Sequence, residues 1–263
     1  MSKVGSFTLP KIVGHRGVGK EGAVPENTLK GFILCMEKNV PIVETDLRVC
    51  KTGEIVLFHG TPEGTIPFYK DGTSRVGDLS MEELKRVDVG GGHTIPSLEE
   101  LFVAMEERKS NMELNLELKG EEWKRKESGD HQRLLSLVEK YRMQERVDYC
   151  SFHHEALAHL KVLCPHVKIT YLFNYMLQPT PLDFVEQAYY GGAHGVSMLY
   201  HYLTKEQVCI AHEKGLSVTV WMPWIFDDSE EDWKKCLEIQ VDLICSNHPF
   251  GLMKYLSNIS DYK

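Results

Sequence analysis

Apolar and polar positions fall into short alternating blocks along the chain. Runs rich in β-branched and other apolar residues recur at 11–15, 41–47, 112–118, 147–152, 168–173, 194–198, 217–221 and 241–245. Between them the apolar spacing is that of amphipathic helices, at 27–38, 97–108, 130–142, 154–163, 182–190, 204–214 and 230–238, with a short one near 250–256. Ser97-Leu98-Glu99-Glu100 and Thr204-Lys205-Glu206-Gln207 read as capped helix starts, and Gly215 as a helix stop. Strands alternating with helices imply parallel pairing through right-handed crossovers. Eight such units predict an α/β fold of the TIM type, a closed (β/α)8 barrel. The first turn lacks the glycine spacing of a dinucleotide site.

The alternation breaks at 53–95, a glycine-rich stretch with one expected hairpin strand (54–58) and one short helix (80–86). It reads as a small insertion after the second strand, of the length usually reserved for lids and binding loops. No linker or internal repeat divides the chain, so 1–263 is expected to form one barrel domain.

Two of the expected strands carry polar residues where a buried parallel strand should be apolar. In "PIVETDLRV", Glu44, Asp46 and Arg48 alternate with Thr45, Leu47 and Val49; in "MELNLELKG", Asn115, Glu117 and Lys119 alternate with leucines. A period of two puts each polar trio on one face, and in a barrel that face points inward. The alternative is the exposed face of an antiparallel sheet with solvated charges. Carboxylates inside a barrel need partners, and Glu44, Asp46 and Glu117 together make an all-oxygen set suited to a hard divalent cation. Nothing in the spacing of His or Cys favours zinc.

His15 closes the first strand and His59 closes "EIVLFHG". Both are acid/base candidates, because imidazole titrates near neutrality. Arg16 offers a planar fork of donors for phosphate oxygens. His153 and Trp221 end strands and are candidates to line the mouth, although core packing is the plainer reading of each.

The bulk numbers narrow the partners. Among 263 residues, 30 basic side chains face 38 acidic ones, a net charge of -8, which disfavours nucleic acid. An anionic substrate therefore needs local positive charge, from a metal or from aimed Arg and Lys. Seven cysteines without C-x-x-C spacing point to free thiols in a reducing compartment. The opening "MSKVGSFTLP" lacks the apolar core of a signal peptide, and no run is long enough to span a membrane. A cytoplasmic location is expected; the oligomeric state is left open.

"HRG" followed by "PENT", "ETDLR", "VLFHG", "IPSLEEL" and "LNLELK" resembles the glycerophosphodiester phosphodiesterase family in order and spacing, over the first half of the chain. Weaker echoes follow at 151–152, 220–221 and in "VDLICSNHP". The resemblance implies a TIM barrel with an insertion after the second strand. It also implies one divalent cation, Mg2+ or Ca2+, on Glu44, Asp46 and Glu117. It makes His15 and His59 the general acid and base and Arg16 a phosphate ligand, with Lys119 near phosphate or metal. Glu26 and Asn27 would brace the first loop, and Trp221 would face the glycerol or head group. The chain departs from the family pattern at His59-Gly60, where His-Asp is frequent. Trp221-Met222-Pro223-Trp224 replaces Trp-Thr-Val-Asn, and Ser246-Asn247-His248-Pro249 replaces Thr-Asp-x-Pro. No metal candidate or histidine is lost.

The expected reaction is metal-dependent hydrolysis of a small-molecule glycerophosphodiester to glycerol 3-phosphate and an alcohol. The attacking hydroxyl is either water or the substrate's own 2-hydroxyl. Two rivals share the barrel: a sphingomyelinase D-like enzyme acting on lysophospholipids, and an inactive barrel that only binds a phosphorylated ligand.

Overall fold

A computed structural model describes residues 8–70, 72–174 and 183–260. The first half runs β1 (Lys11–Gly14), α1 (Leu29–Glu37), β2 (Ile42–Val49), β3 (Ile55–Leu57), α2 (Met81–Leu84), β4 (Asp88–Gly90), β5 (His93–Thr94), α3 (Leu98–Glu107) and β6 (Glu113–Leu118). The second half continues α4 (Asp130–Lys140), β7 (Val147–Ser151), α5 (His154–Leu163), β8 (Lys168–Phe173), α6 (Phe184–Tyr190), β9 (Gly195–Leu199), α7 (Lys205–Glu213), β10 (Ser217–Trp221), α8 (Glu230–Ile239), β11 (Leu243–Ser246) and α9 (Pro249–Ser260).

Eight parallel strands close a barrel in the order β1-β2-β6-β7-β8-β9-β10-β11, with β11 returning to β1. This is the expected TIM architecture. The ends of the expected elements move by at most two residues, except that the last helix runs to Ser260, four residues past its expected end. The expected helix at 182–190 is described from Phe184 onward, its first position lying outside the described residues. Capping boxes at Ser97/Glu100 and Thr204/Gln207 start α3 and α7 as their sequences predict, and two more at Ser80/Glu83 and Ser229/Asp232 start α2 and α8.

The outward rows of the strands bury apolar side chains against the helices: Val43 and Leu47 on β2, and Leu114, Leu116 and Leu118 on β6, sit in the main core. The stretch after β2 holds one antiparallel strand, β3, whose Leu57 and Ile55 pair with Leu47 and Val49. It also forms the small β4–β5 hairpin, which the sequence pattern did not suggest. A second apolar cluster, with Val56, Phe58, Ile66, Val76, Leu79, Leu84, Val87 and Ile95, holds this stretch together.

The inward rows are different. On β10 they are Ser217, Thr219 and Trp221; on β8, Lys168, Thr170 and Leu172; on β7, Asp148 and Cys150, continued by Phe152. These side chains do not fill the barrel, and a cavity of about 760 Å³ lined by them runs between its two ends. No described helix is long and apolar enough to cross a membrane.

Asp148 sits low in this cavity. Thr170 Oγ1 donates to its Oδ2 at 2.8 Å, while its Oδ1 is buried without a partner. Burial pushes its carboxyl up to about 6. A raised acid favours the folded state while protonated, and that contribution is lost as pH rises from the unfolded to the folded value. Asp148→Asn, which keeps an acceptor for Thr170, is expected to be more stable than wild type by about 1–2 kcal/mol above roughly pH 6.5, and no more stable below about pH 4. Urea unfolding at both pH values checks this.

Candidate functional site

The C-terminal rim gathers the polar residues of β1, β2 and β6. Parallel pairing sets Asp46 opposite Glu117 and Glu44 opposite Asn115. Glu44, Asp46 and Glu117 are all buried, and each offers an oxygen within 4.8 Å of the others. Three carboxylates so close cannot all be charged without nearby cations.

Two cations are supplied. Lys119 Nζ lies 3.2 Å from Asp46 Oδ1 and 2.9 Å from Glu117 Oε1. Arg16 Nε lies 3.6 Å from Asp46 Oδ2, and the Arg16 backbone N–H donates to Glu44 Oε2 at 2.9 Å. Asn27 Nδ2 donates to Asp46 Oδ2 at 2.9 Å, while its Oδ1 accepts from Thr45 Oγ1 at 2.7 Å. Glu26 receives Arg16 Nη1 at 2.8 Å. Both Arg16 and Asn27 adopt left-handed backbone, φ 53 and 55, so the first loop turns sharply to bring its side chains back onto β2.

The charge balance is uneven. Burial opposes ionisation of Asp46, but Lys119, His59 and Arg16 outweigh it and hold this carboxyl below the usual carboxylate range. For Glu44, burial and then the charges of Asp46 and Glu117 push the carboxyl well up. Glu117 is also raised, by burial against the pull of Lys119. Glu44 Oε1 is buried with no hydrogen-bond partner. Two cations among three carboxylates, with one oxygen orphaned, leave room for further positive charge. The all-oxygen donor set fits a hard divalent cation.

His15 and His59 flank this cluster. His15 Nε2 is 3.9 Å from Glu44 Oε2, and its Nδ1 is 2.7 Å from Asn247 Oδ1. Burial, then Arg16, lowers its pKa to about 3. Burial, with Lys119 and Arg16 overriding Asp46, does the same for His59, also to about 3. Both rings are therefore neutral near pH 7. The cavity is lined here by His15, Arg16, Glu44, His59, Glu117, Lys119, Phe152, Trp221 and Trp224. Trp221 meets Phe152 edge-on at 6.1 Å, and its Nε1 is buried without a partner. Arg16 Nε likewise makes no hydrogen bond, its nearest acceptor being Asp46 Oδ2 at 3.6 Å.

The ten residues to which the resemblance gives roles thus meet at one rim. His153 does not line the cavity: its Nε2 lies 3.9 Å from Glu121, and Phe152 takes the place at the mouth. The parity of β7 explains the correction, since 148, 150 and 152 point inward and 153 does not.

The sequence names three further contributors without showing their roles. Trp224 packs its ring over the Arg16 guanidinium at 4.7 Å and edge-on to His15 at 5.5 Å. Asn247 holds His15. Arg48, 1% exposed, donates from Nε and Nη2 to the His59 carbonyl at 3.1 and 3.0 Å, and from Nη2 to the Thr61 carbonyl at 2.6 Å. Its inward position beside Glu44 and Asp46 was legible, its attachment to the His59 backbone was not. Gly120, at φ 92, leaves space that a Cβ would take from the Arg48 guanidinium. Arg48→Ala strands these carbonyls and the Glu122 carboxylate, and is expected to cost about 2–4 kcal/mol. It should also speed amide exchange across 59–64. Thermal unfolding and hydrogen exchange measure both, and unchanged exchange there would contradict the bracing role.

Comparison with known proteins gives a consistent result. A sequence model described as the glycerophosphoryl diester phosphodiesterase family matches residues 15–250. A glycerophosphodiester phosphodiesterase of Caldanaerobacter subterraneus is 28% identical over 250 residues, covering 92% of this chain and 96% of the relative. A crystal structure of a candidate glycerophosphodiester phosphodiesterase from Galdieria sulphuraria is 86% identical, with a TM-score of 0.93 over 96% of this chain and 99% of that one. An Oleispira antarctica phosphodiesterase, solved in complex with the product sn-glycerol-3-phosphate, shares the fold with a TM-score of 0.80 at 24% identity, covering 95% and 97% of the two chains.

Proposed function

Because this chain belongs to the glycerophosphoryl diester phosphodiesterase family, we propose that it hydrolyses glycerophosphodiesters to glycerol 3-phosphate and an alcohol, using His15 and His59 as its acid/base pair. The observation that carries this reading is the meeting of three buried carboxylates, two neutral histidines and Arg16 at one cavity mouth. The reading treats 1–263 as one phosphodiesterase unit, with His59 carried by the 53–95 stretch, acting in the cytoplasm.

Glu44, Asp46 and Glu117 would hold one divalent cation, Mg2+ or Ca2+. Bound there, it would neutralise charge on the phosphoryl oxygens. The protein's own groups would do the rest. Arg16 and Lys119 line the same cavity and bring a guanidinium and an ammonium to its mouth. Both suit a phosphate that gains charge on its oxygens as the bond breaks. Trp221 lines the cavity and would face the glycerol or head group. One neutral imidazole takes the proton of the attacking hydroxyl, and the other, protonated as the anionic substrate enters, gives one to the leaving oxygen. The buried rim keeps bulk water from screening these charges.

His15→Ala and His59→Ala are each expected to lower kcat by about 10²-fold or more with the fold intact. The assay is release of glycerol phosphate from choline, ethanolamine, inositol and glycerol diesters, with circular dichroism as the control. Near wild-type turnover in both variants would exclude the pair. Chelation should abolish activity, and Mg2+ or Ca2+ should restore it. Full activity in excess chelator would remove the metal role, and release of choline from lysophospholipid alone would shift the assignment toward head-group release.

A further inference from the structure

Asn247 is fully buried and sits two positions beyond Cys245 on the inward row that β11 begins. Its side-chain Nδ2 donates to two backbone carbonyls, Pro223 O and Phe226 O, each at 3.1 Å. A carbonyl oxygen can only accept, so the amide nitrogen must face that pair, and Oδ1 must face the other way. There it lies 2.7 Å from His15 Nδ1. Oδ1 carries no proton, so the proton in this bond belongs to His15 Nδ1. The neutral ring then has a bare Nε2, and that atom is the one 3.9 Å from Glu44 Oε2, on the cavity side.

The amide has little freedom to turn over. The Asn247 backbone N–H donates to Asp228 Oδ1 at 3.1 Å, and Asp228 Oδ2 is held by Trp233 Nε1 and Ser246 Oγ. The Asn247 carbonyl accepts from Lys20 N at 2.7 Å. Gly19 passes so close that a Cβ there would collide with the same carbonyl. Trp224 closes the remaining side of the His15 ring.

We infer that Asn247 is a positioning residue that locks His15 as the Nδ1–H tautomer, making His15 Nε2 the proton acceptor of the reaction and leaving proton donation to His59. The inference rests on the hydrolysis proposed above. The proton of the attacking hydroxyl passes to His15 Nε2 as its oxygen bonds to phosphorus. The bond from phosphorus to the alcohol oxygen breaks, and that oxygen takes a proton from His59. His15 ends one proton richer and His59 one poorer, and exchange with water restores both. A carboxylate at 247 could also receive the His15 proton, but its second oxygen would face two carbonyls with nothing to donate.

The first test needs no substrate. In 15N-labelled wild-type protein near pH 7, the His15 ring signals, assigned by their loss in His15→Ala, are expected to show a protonated Nδ1 and a bare Nε2. A protonated Nε2 with a bare Nδ1 would overturn the inference. The second test is kinetic. Asn247→Ala is expected to lower kcat by roughly 10- to 100-fold with little change in KM, and to add no further loss in a His15→Ala background. An equal loss in both backgrounds would mean that Asn247 does not act through His15, and would overturn it. If Asn247→Ala fails to fold, the ring measurement decides alone. Full turnover in His15→Ala would instead defeat the proposed acid/base pair, whatever the tautomer.

Discussion

Lys119 bridging Asp46 and Glu117 is the interaction on which the rim depends. Without it, three carboxylates in a buried pocket would repel one another and more of them would be forced into the neutral form. With it and Arg16 in place, Asp46 stays ionised and the deficit of positive charge falls on Glu44. The same burial that raises Glu44 lowers the two histidines. One physical cause, loss of water from the rim, therefore prepares both the oxygen cluster and the neutral bases beside it.

A second constraint is the seam between the two ends of the chain. β1 pairs with β11, but the loops above that seam are tied more closely than the strands. Glu21 accepts the backbone N–H groups of Phe250 and Gly251 at the start of α9, a carboxylate at a helix N-terminus where free N–H groups need an acceptor. Lys20 Nζ reaches Asp227 at 2.8 Å. With the His15–Asn247 bond, these contacts make the last βα loops part of the environment of His15. The barrel is closed by its chemistry as well as by its strand pairing.

Much of this was legible in the sequence. Alternation on 44–48 and 115–119 pointed the carboxylates inward, and the four-residue capping patterns gave the helix starts. Local periodicity carries such information because a strand's faces and a helix's first turn are set by residues a few positions apart. Asn247, Arg48 and Trp224 act over long separations or through backbone carbonyls. Arg48 reaches the carbonyl of His59 and Asn247 those of Pro223 and Phe226, and a carbonyl carries no mark in the sequence. The β4–β5 hairpin was missed for a related reason: two strands of three and two residues show no alternation to read.

Two of the three sequence departures fall on one side of the site; the third, Gly60, adjoins His59. Trp224 and Asn247 stand where the resembling pattern has other residues, while the carboxylates and both histidines stand as expected. In the structure these two residues touch the same ring, Trp224 edge-on to His15 and Asn247 through its Nδ1. They are also linked to each other, because Asn247 Nδ2 binds the carbonyls of Pro223 and Phe226, the residues on either side of the 224–225 turn. An amide can satisfy those two carbonyls and still accept from His15; a carboxylate can do only the second. The loop that carries Trp224 and the residue at 247 are therefore one structural choice, and a change at either position alters the hydrogen bonds required of the other.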